Sequence, residues 1–167
     1  GATAAGAAVA REASPIARTP SEAVTTAAAR PLRILLADDH ALVRDGLREL
    51  FAGNPQLQVV GEAADGLQAL EQAHALAPDV IVMDVSMPRM DGIEATRRLR
   101  AELPSVTIFG LSTEERTDAL HAIEAAGADG YFTKSDDAQE LLARLVAVHA
   151  TGAHDTGATP PPPSGTR

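Results

Sequence analysis

Five apolar runs rich in β-branched residues alternate with five helical patterns, and this alternation restricts the fold more than any other feature of the chain. The apolar runs lie at residues 33–37, 57–61, 80–84, 106–111 and 130–132. Helical patterns fill the gaps at 43–51, 67–77, 93–103 and 114–126, and a last one follows residue 135. Strict alternation is typical of a parallel sheet covered on both faces, and right-handed crossovers leave few topologies. The sequence therefore predicts one doubly wound α/β domain with five strands and five helices.

The two ends of the chain differ in composition from this alternating region. Residues 1–30 are rich in Ala, Thr, Ser and Pro and hold few large apolar side chains, so we expect a disordered leader. Residues 151–167 include four consecutive prolines, which favour an extended, disordered tail or an interdomain linker. We expect the folded domain to span residues 31–150.

The charge of the chain excludes some classes of partner. The whole chain carries 23 acidic and 14 basic residues, a net charge of −9. Residues 33–150 hold 20 of the acidic and 10 of the basic residues, so this region is more acidic than the ends. We expect no binding to DNA or to an anionic membrane by this region alone. The chain has no cysteine, which excludes disulfides and thiolate metal sites and is compatible with a cytoplasmic location.

Carboxylates follow two of the buried runs directly. The first run leads into Asp38 and Asp39, and the third ends at Asp84. Open α/β sheets place their sites at the carboxyl ends of their strands, so these side chains are candidates for a common site. Three carboxylates there would repel one another unless a cation held them. The alternative is a turn or a helix cap at Asp38 and Asp39, although a cap needs only one aspartate.

Four segments, in order and at the right spacing, resemble the receiver domain of two-component response regulators. They are residues 37–40, 82–92, 111–112 and 127–134. The resemblance covers roughly residues 32–149, and the His40 that follows the acidic pair is similar to the NarL/FixJ-type branch. It implies a flavodoxin/CheY-like sheet with the strand order 2-1-3-4-5. In that order the first and third strands meet at the switch point.

The resemblance also implies a chemical role for each of the acidic residues. Asp84 would be the phosphoacceptor, taking a phosphoryl group from a sensor histidine kinase. Asp38, Asp39 and Asp84, with the backbone carbonyl of Ser86, would hold Mg²⁺. Lys134, the only lysine of the chain, would place a second positive charge at the phosphoryl oxygens. The domain would catalyse only its own phosphorylation and dephosphorylation, so we do not expect an enzyme.

Two further residues would read out the modification if the resemblance holds. Ser112 would donate its hydroxyl to the phosphoryl group, and Tyr131 would rotate inward as the switch. The surface formed by helix 4, strand 5 and helix 5 would then change partners. The alternative for Ser112 is a hydroxyl that satisfies backbone groups at a strand end. The alternative for Tyr131 is ordinary packing in a half-buried strand.

Other polar residues near these motifs have plainer interpretations. Asp91 and Gly92 form a pair that usually marks a turn and a helix cap. His40 is interpreted as a surface residue. The remaining histidines show no ligand spacing, so we predict no zinc site; they are His74, His121, His149 and His154. Ser135 stands where the family often has a proline, which leaves the geometry of the peptide after Lys134 open.

The output of the switch admits more than one interpretation. The leading one is the receiver part of a LuxR/NarL-type transcription regulator that reaches DNA only through a C-terminal helix-turn-helix absent from this chain. The family is also compatible with a homodimer that forms on phosphorylation. The alternatives are a stand-alone receiver and an adaptor that acts without phosphorylation. A dehalogenase-like phosphatase would need a second aspartate at the position of Ser86, and the chain lacks the P-loop motif of NTPases.

Overall fold

Strands and helices follow each other in strict alternation in the structure, which is a computed structural model that describes residues 30–113, 117–134 and 138–151. The strands are β1 (Leu32–Ala37), β2 (Leu57–Ala63), β3 (Val80–Asp84), β4 (Thr107–Ser112) and β5 (Gly130–Thr133). The helices are α1 (Ala41–Ala52), α2 (Gly66–Leu76), α3 (Gly92–Glu102), α4 (Thr117–Ala126) and α5 (Ala138–Thr151). All strand pairs are parallel, in the order β2-β1-β3-β4-β5. The predicted fold class and strand order are therefore confirmed.

Two apolar layers enclose the sheet because successive side chains of a strand point to opposite faces. On one face, Leu35 of β1 packs in a cluster with Ile81 of β3 and with residues of α2, α3 and α4. On the other face, Ile34 belongs to a cluster with residues of α1 and α5. This second cluster holds all three phenylalanines of the chain: Phe51, Phe109 and Phe132. The central strands are thus buried on both sides, as their continuous apolar runs predict.

The helix ends agree closely with the turn and cap residues of the sequence. Asp91 caps α3 by accepting a hydrogen bond from the backbone N–H of Glu94, as the Asp-Gly pair indicated. The helix α2 ends at Ala77, whose left-handed φ of 49° stops the helix before Pro78. Asp39 does not cap α1, because its N-cap is His40 and that side chain makes no capping hydrogen bond. The acidic pair is therefore left for another role.

Several predictions concern parts of the chain that the structure does not describe. The leader and tail lie in residues 1–29 and 152–167. The predicted start of the fourth helix falls in residues 114–116, and Ser135 with its preceding peptide bond falls in 135–137. Among the described helices, none has the length and apolarity needed to span a membrane.

Gly92 lets α3 start directly against the end of β3, and a methyl group there should be costly. An ideal Cβ on Gly92 would collide with the backbone carbonyl oxygen of Asp84 and lie 2.9 Å from Cγ of Met83. We expect Gly92→Ala to lower the free energy of unfolding by about 3 kcal/mol, because backbone must move to make room. Urea unfolding measures this directly.

Gly46 provides the matched control for this substitution. It lies inside α1, and a Cβ there would meet no atom within 4 Å. We expect Gly46→Ala to raise the free energy of unfolding by up to about 1 kcal/mol, since alanine favours the helix over glycine. Equal stability of the two variants would contradict the close approach of α3 to β3.

Candidate functional site

The three predicted carboxylates converge where β1 and β3 end. These strands are direct neighbours, with Ala37 paired to Met83 in the ladder, so the residues that follow emerge side by side. Asp38 and Asp84 are each only 2% exposed, and the side chain of Asp39 is about one-third exposed. Together with His40, they present ligand atoms that all lie within 4.8 Å of one another.

Lys134 joins this group from the far side of β4. It follows β5 and is fixed there by its backbone N–H, which donates to the carbonyl oxygen of Ser112 at 2.7 Å. Its Nζ lies 2.9 Å from Asp38 Oδ2 and 3.3 Å from Asp84 Oδ2. The side chain is only 14% exposed. The structure therefore brings together the only lysine of the chain and two of the three predicted carboxylates.

The electrostatics of this group favour a cation beside Asp84. Burial and then the neighbouring charge of Asp38 raise the pKa of Asp84 to about 7, although Lys134 and the N–H of Ser86 lower it. For Lys134, burial lowers the pKa, but the hydrogen bond to Asp38 and the charges of both carboxylates outweigh it and leave the pKa raised. The ammonium is thus charged at neutral pH, while a single ammonium does not offset the two buried carboxylates fully.

The raised pKa of Asp84 predicts that the metal-free protein loses stability as the pH rises. The folded state prefers the protonated carboxyl, so its contribution is complete near pH 4 and is lost by about pH 7. In EDTA we expect Asp84→Asn to be more stable than the wild type by on the order of 2–4 kcal/mol at pH 8, and by much less at pH 5. Urea unfolding of both proteins at the two pH values measures the difference. A constant difference between them would contradict a raised pKa.

The oxygen atoms of the site suit a hard divalent cation. Oδ2 of Asp38 and Oδ2 of Asp84 are buried and face the same ammonium, that of Lys134, at 2.9 and 3.3 Å. Mg²⁺ takes carboxylate, carbonyl and water oxygens of this kind. An open cleft of about 440 Å³ adjoins them, with Asp39 and Ser86 in its lining. The residues present therefore fit the predicted ion.

The loop between β3 and α3, which carries Ser86, is fastened to the start of α2. Arg89 donates from Nε to Asp65 Oδ2 at 2.8 Å, and Gly66 donates its N–H to the carbonyl of Met90 at 2.8 Å. The hydrogen bond from the N–H of Gln68 lowers the pKa of Asp65; burial opposes this and Arg89 adds to it. Sequence reasoning did not find this pair. Asp65-Gly66 resembles a helix cap, and nothing in the sequence pointed to Arg89.

The predicted readout residues occupy different environments. Ser112 is 2% exposed and ends β4, one residue beyond the position that pairs with Asp84. Tyr131 lies on the surface, 37% exposed, with its ring edge-on to that of His121 in α4 at a centroid distance of 6.3 Å. Tyr131 therefore lies at the surface of β5, with its ring against α4.

His40 was interpreted from the sequence as a surface residue, and its contact with the acidic site was not predicted. Its side chain is 63% exposed, as expected of a surface residue, but its ring is turned toward the carboxylates. Nδ1 lies 3.1 Å from Asp38 Oδ1 and 3.2 Å from Asp39 Oδ1. In the sequence, only the position of His40 directly after the acidic pair indicated that its ring could contact these carboxylates.

Comparisons with known proteins agree with the class that this fold and acidic site define, a receiver domain of signalling proteins. The model of the response regulator receiver domain family matches residues 34–146. The chain therefore belongs to the response regulator receiver domain family.

Curated proteins that resemble the chain include response regulators and a transcriptional regulatory protein. It is 40% identical to the nitrate/nitrite response regulator protein NarL of Escherichia coli K12 over 117 residues, which covers 69% of this chain and 53% of that protein. It is 36% identical to the transcriptional regulatory protein DegU of Brevibacillus brevis, over 74% of this chain and 52% of that protein. The chain thus spans about half the length of the curated relatives that it matches.

Two solved structures share the architecture. The response regulator domain of Thermotoga maritima CheB superposes with a TM-score of 0.67 at 34% identity, covering 72% of this chain and 97% of that chain. A LuxR-family two-component response regulator from Aurantimonas sp. SI85-9A1 also gives 0.67, at 38% identity, over 72% of this chain and 86% of that chain. Both likenesses are to receiver domains or to proteins of the response regulator class.

Proposed function

We propose that this domain accepts a phosphoryl group on Asp84 from the phosphohistidine of a sensor histidine kinase, with Mg²⁺ held by Asp38, Asp39, Asp84 and the carbonyl of Ser86. The observation that carries the proposal is the convergence of two buried carboxylates on one ammonium, at 2.9 and 3.3 Å. Such a group has a nucleophile, a place for a metal and a fixed positive charge. Phosphoryl transfer depends mainly on positioning and charge stabilisation, which these parts supply.

The chemistry needs little from the protein beyond this arrangement. One oxygen of the Asp84 carboxylate attacks phosphorus, the bond from phosphorus to the kinase imidazole breaks, and the imidazole leaves with the bond's electron pair. Lys134 holds its ammonium where an oxygen of the arriving group develops charge. Ser112 donates its hydroxyl to another oxygen. Mg²⁺, when bound, neutralises charge on the phosphoryl oxygens.

We propose that residues of β4 and β5 respond to the modification. We propose that Ser112 moves toward the phosphorylated Asp84 and that Tyr131 leaves its position against His121 to fill the space behind it. The surface of α4, β5 and α5 then exchanges partners, including a second copy of the chain. A phosphoryl group is a local charge change that biases such a two-state surface.

The output that the relatives suggest is transcription control. Because NarL and DegU are response regulators about twice as long as the matched region, we propose that this receiver forms part of a NarL/LuxR-type regulator. DNA would then be contacted by a helix-turn-helix outside this chain. The acidic charge of the receiver supports this assignment, because an acidic surface repels the phosphates of DNA.

Beryllofluoride, which mimics a phosphoryl group, tests the proposal in the full chain. We expect its addition with Mg²⁺ to shift the backbone amide resonances of Ser112 and Tyr131. The same addition in EDTA should leave these resonances in place. Equal shifts with and without Mg²⁺, or shifts confined to residues far from Asp84, would overturn the proposal.

A further inference from the structure

The loop between β3 and α3 spans residues 85–91 and forms one wall of the cleft beside the acidic site. The residues of the loop that line this cleft include Ser86, Met87 and Pro88. The backbone N–H of Ser86 donates to Asp84 Oδ1 at 3.3 Å, so the loop begins in contact with the proposed phosphoacceptor. The path of the loop therefore decides where the carbonyl of Ser86, a proposed ligand of Mg²⁺, lies.

The far part of this loop is fastened to the start of α2 by a side chain and by the backbone. Nε and Nη2 of Arg89 both lie 2.8 Å from Oδ2 of Asp65, a residue that is only 1% exposed. The N–H of Gly66 donates to the carbonyl oxygen of Met90 at 2.8 Å, and a Cβ on Gly66 would collide with that oxygen. The loop thus rests directly on α2, with no room for a side chain between the two backbones.

Helix capping does not account for the second oxygen of Asp65. The hydrogen bond that caps α2 runs from the N–H of Gln68 to Oδ1. Oδ2 faces Arg89, whose backbone takes a left-handed φ of 67°. Glycine adopts this conformation without strain, whereas arginine keeps it only where its surroundings hold it there. The ion pair with Asp65 supplies that constraint.

We propose that the ion pair of Arg89 and Asp65 positions the loop for metal binding, by holding the backbone of Ser86 where its carbonyl binds Mg²⁺. The inference rests on the proposed function, in which that carbonyl is a ligand. Mg²⁺ demands near-ideal octahedral geometry, so a small displacement of one ligand lowers its affinity. The loss of partners that orient a ligand typically weakens metal binding by about 10- to 100-fold. Arg89 and Asp65 act through the loop and are therefore positioning residues.

The substitution Asp65→Asn separates this role from a purely structural one, in which Arg89 only neutralises a buried carboxylate. Asparagine caps a helix about as well as aspartate, and it leaves no buried charge to neutralise. An amide that caps α2 with its oxygen turns its NH₂ group toward the guanidinium, so that donor faces donor. A structural pair would leave Mg²⁺ binding of this variant unchanged, whereas a positioning pair weakens it.

Titration of the ¹⁵N-labelled full chain with MgCl₂, followed through the amide resonances of Ser86 and Met87, measures the Mg²⁺ affinity and reports on the loop together. We expect Asp65→Asn and Arg89→Gly each to weaken Mg²⁺ binding by about tenfold. The double variant should bind no more weakly than either single one, because both substitutions remove the same contact. Both single variants should also shift the two resonances before any Mg²⁺ is added.

Asp129→Asn is the matched control for these variants. Asp129 Oδ2 lies 2.9 Å from Nη2 of Arg100, a pair of the same type, but at the opposite edge of the sheet, where β5 begins. We expect this variant to change Mg²⁺ affinity by less than about twofold, because salt screens a distant surface charge. Asp65→Asn with the Mg²⁺ affinity of the wild type, or an equal loss in Asp129→Asn, would overturn this inference alone. Failure of the wild type to bind Mg²⁺ would overturn the proposed metal site together with it.

Discussion

We expect Asp84→Asn to abolish phosphoryl uptake, so that the mass of the variant stays unchanged after incubation with Mg²⁺ and acetyl phosphate. The neutral amide lacks the negative charge that makes a carboxylate oxygen nucleophilic, and the substitution also removes one charge from the metal site. Intact-protein mass spectrometry over a time course measures the result, and the wild type should gain one phosphoryl group.

Asp91→Asn is the matched control for this experiment. Asp91 lines the same cleft and carries the same charge, but its side chain caps α3. Asparagine caps a helix about as well as aspartate, so the fold should be unaffected. We expect this variant to take up phosphoryl groups at a rate close to that of the wild type. A full mass increase in Asp84→Asn, or an equal loss in Asp91→Asn, would contradict the role of Asp84.

The backbone architecture followed from the sequence because it depends on periodic and local features. Buried runs such as residues 80–83 are apolar on both faces, which parallel central strands require. Asp91 marks the start of α3 through its capping side chain, and Pro78 marks the end of α2 because proline cannot continue a helix. Once the strand order was expected from the resemblance, the ends of β1 and β3 had to be neighbours, and the convergence of Asp38 and Asp84 followed.

The directions of long side chains did not follow from the sequence. Arg89 reaches Asp65 across 24 positions because its backbone takes a left-handed φ of 67°, which is uncommon for arginine and has no marker in the sequence. His40 has an exposed ring in either orientation, so burial patterns gave no reason to turn it toward the carboxylates. Tyr131 likewise lies against His121 through a contact between two surface rings, which no periodicity specifies.

Lys134→Ala should separate metal binding from phosphoryl transfer. The ammonium lies 2.9 Å from Asp38 and 3.3 Å from Asp84, so its removal leaves both carboxylates more attractive to a divalent cation. We therefore expect tighter Mg²⁺ binding. Phosphorylation by acetyl phosphate should nevertheless slow by on the order of 100-fold, because the charge that faces the phosphoryl oxygens is lost. Calorimetry and time-resolved mass spectrometry measure the two effects on the same preparation.

Lys134→Arg distinguishes the charge of this residue from its shape. The side chain is mostly buried, and a planar guanidinium needs more room than an ammonium at the same point. We expect Mg²⁺ affinity close to that of the wild type, since the positive charge remains, together with slow phosphorylation, since the arginine cannot place a donor at the same position. Lys134→Ala with the rate of the wild type would contradict the proposed role of this residue. Rapid phosphorylation of Lys134→Arg would show that charge alone is sufficient.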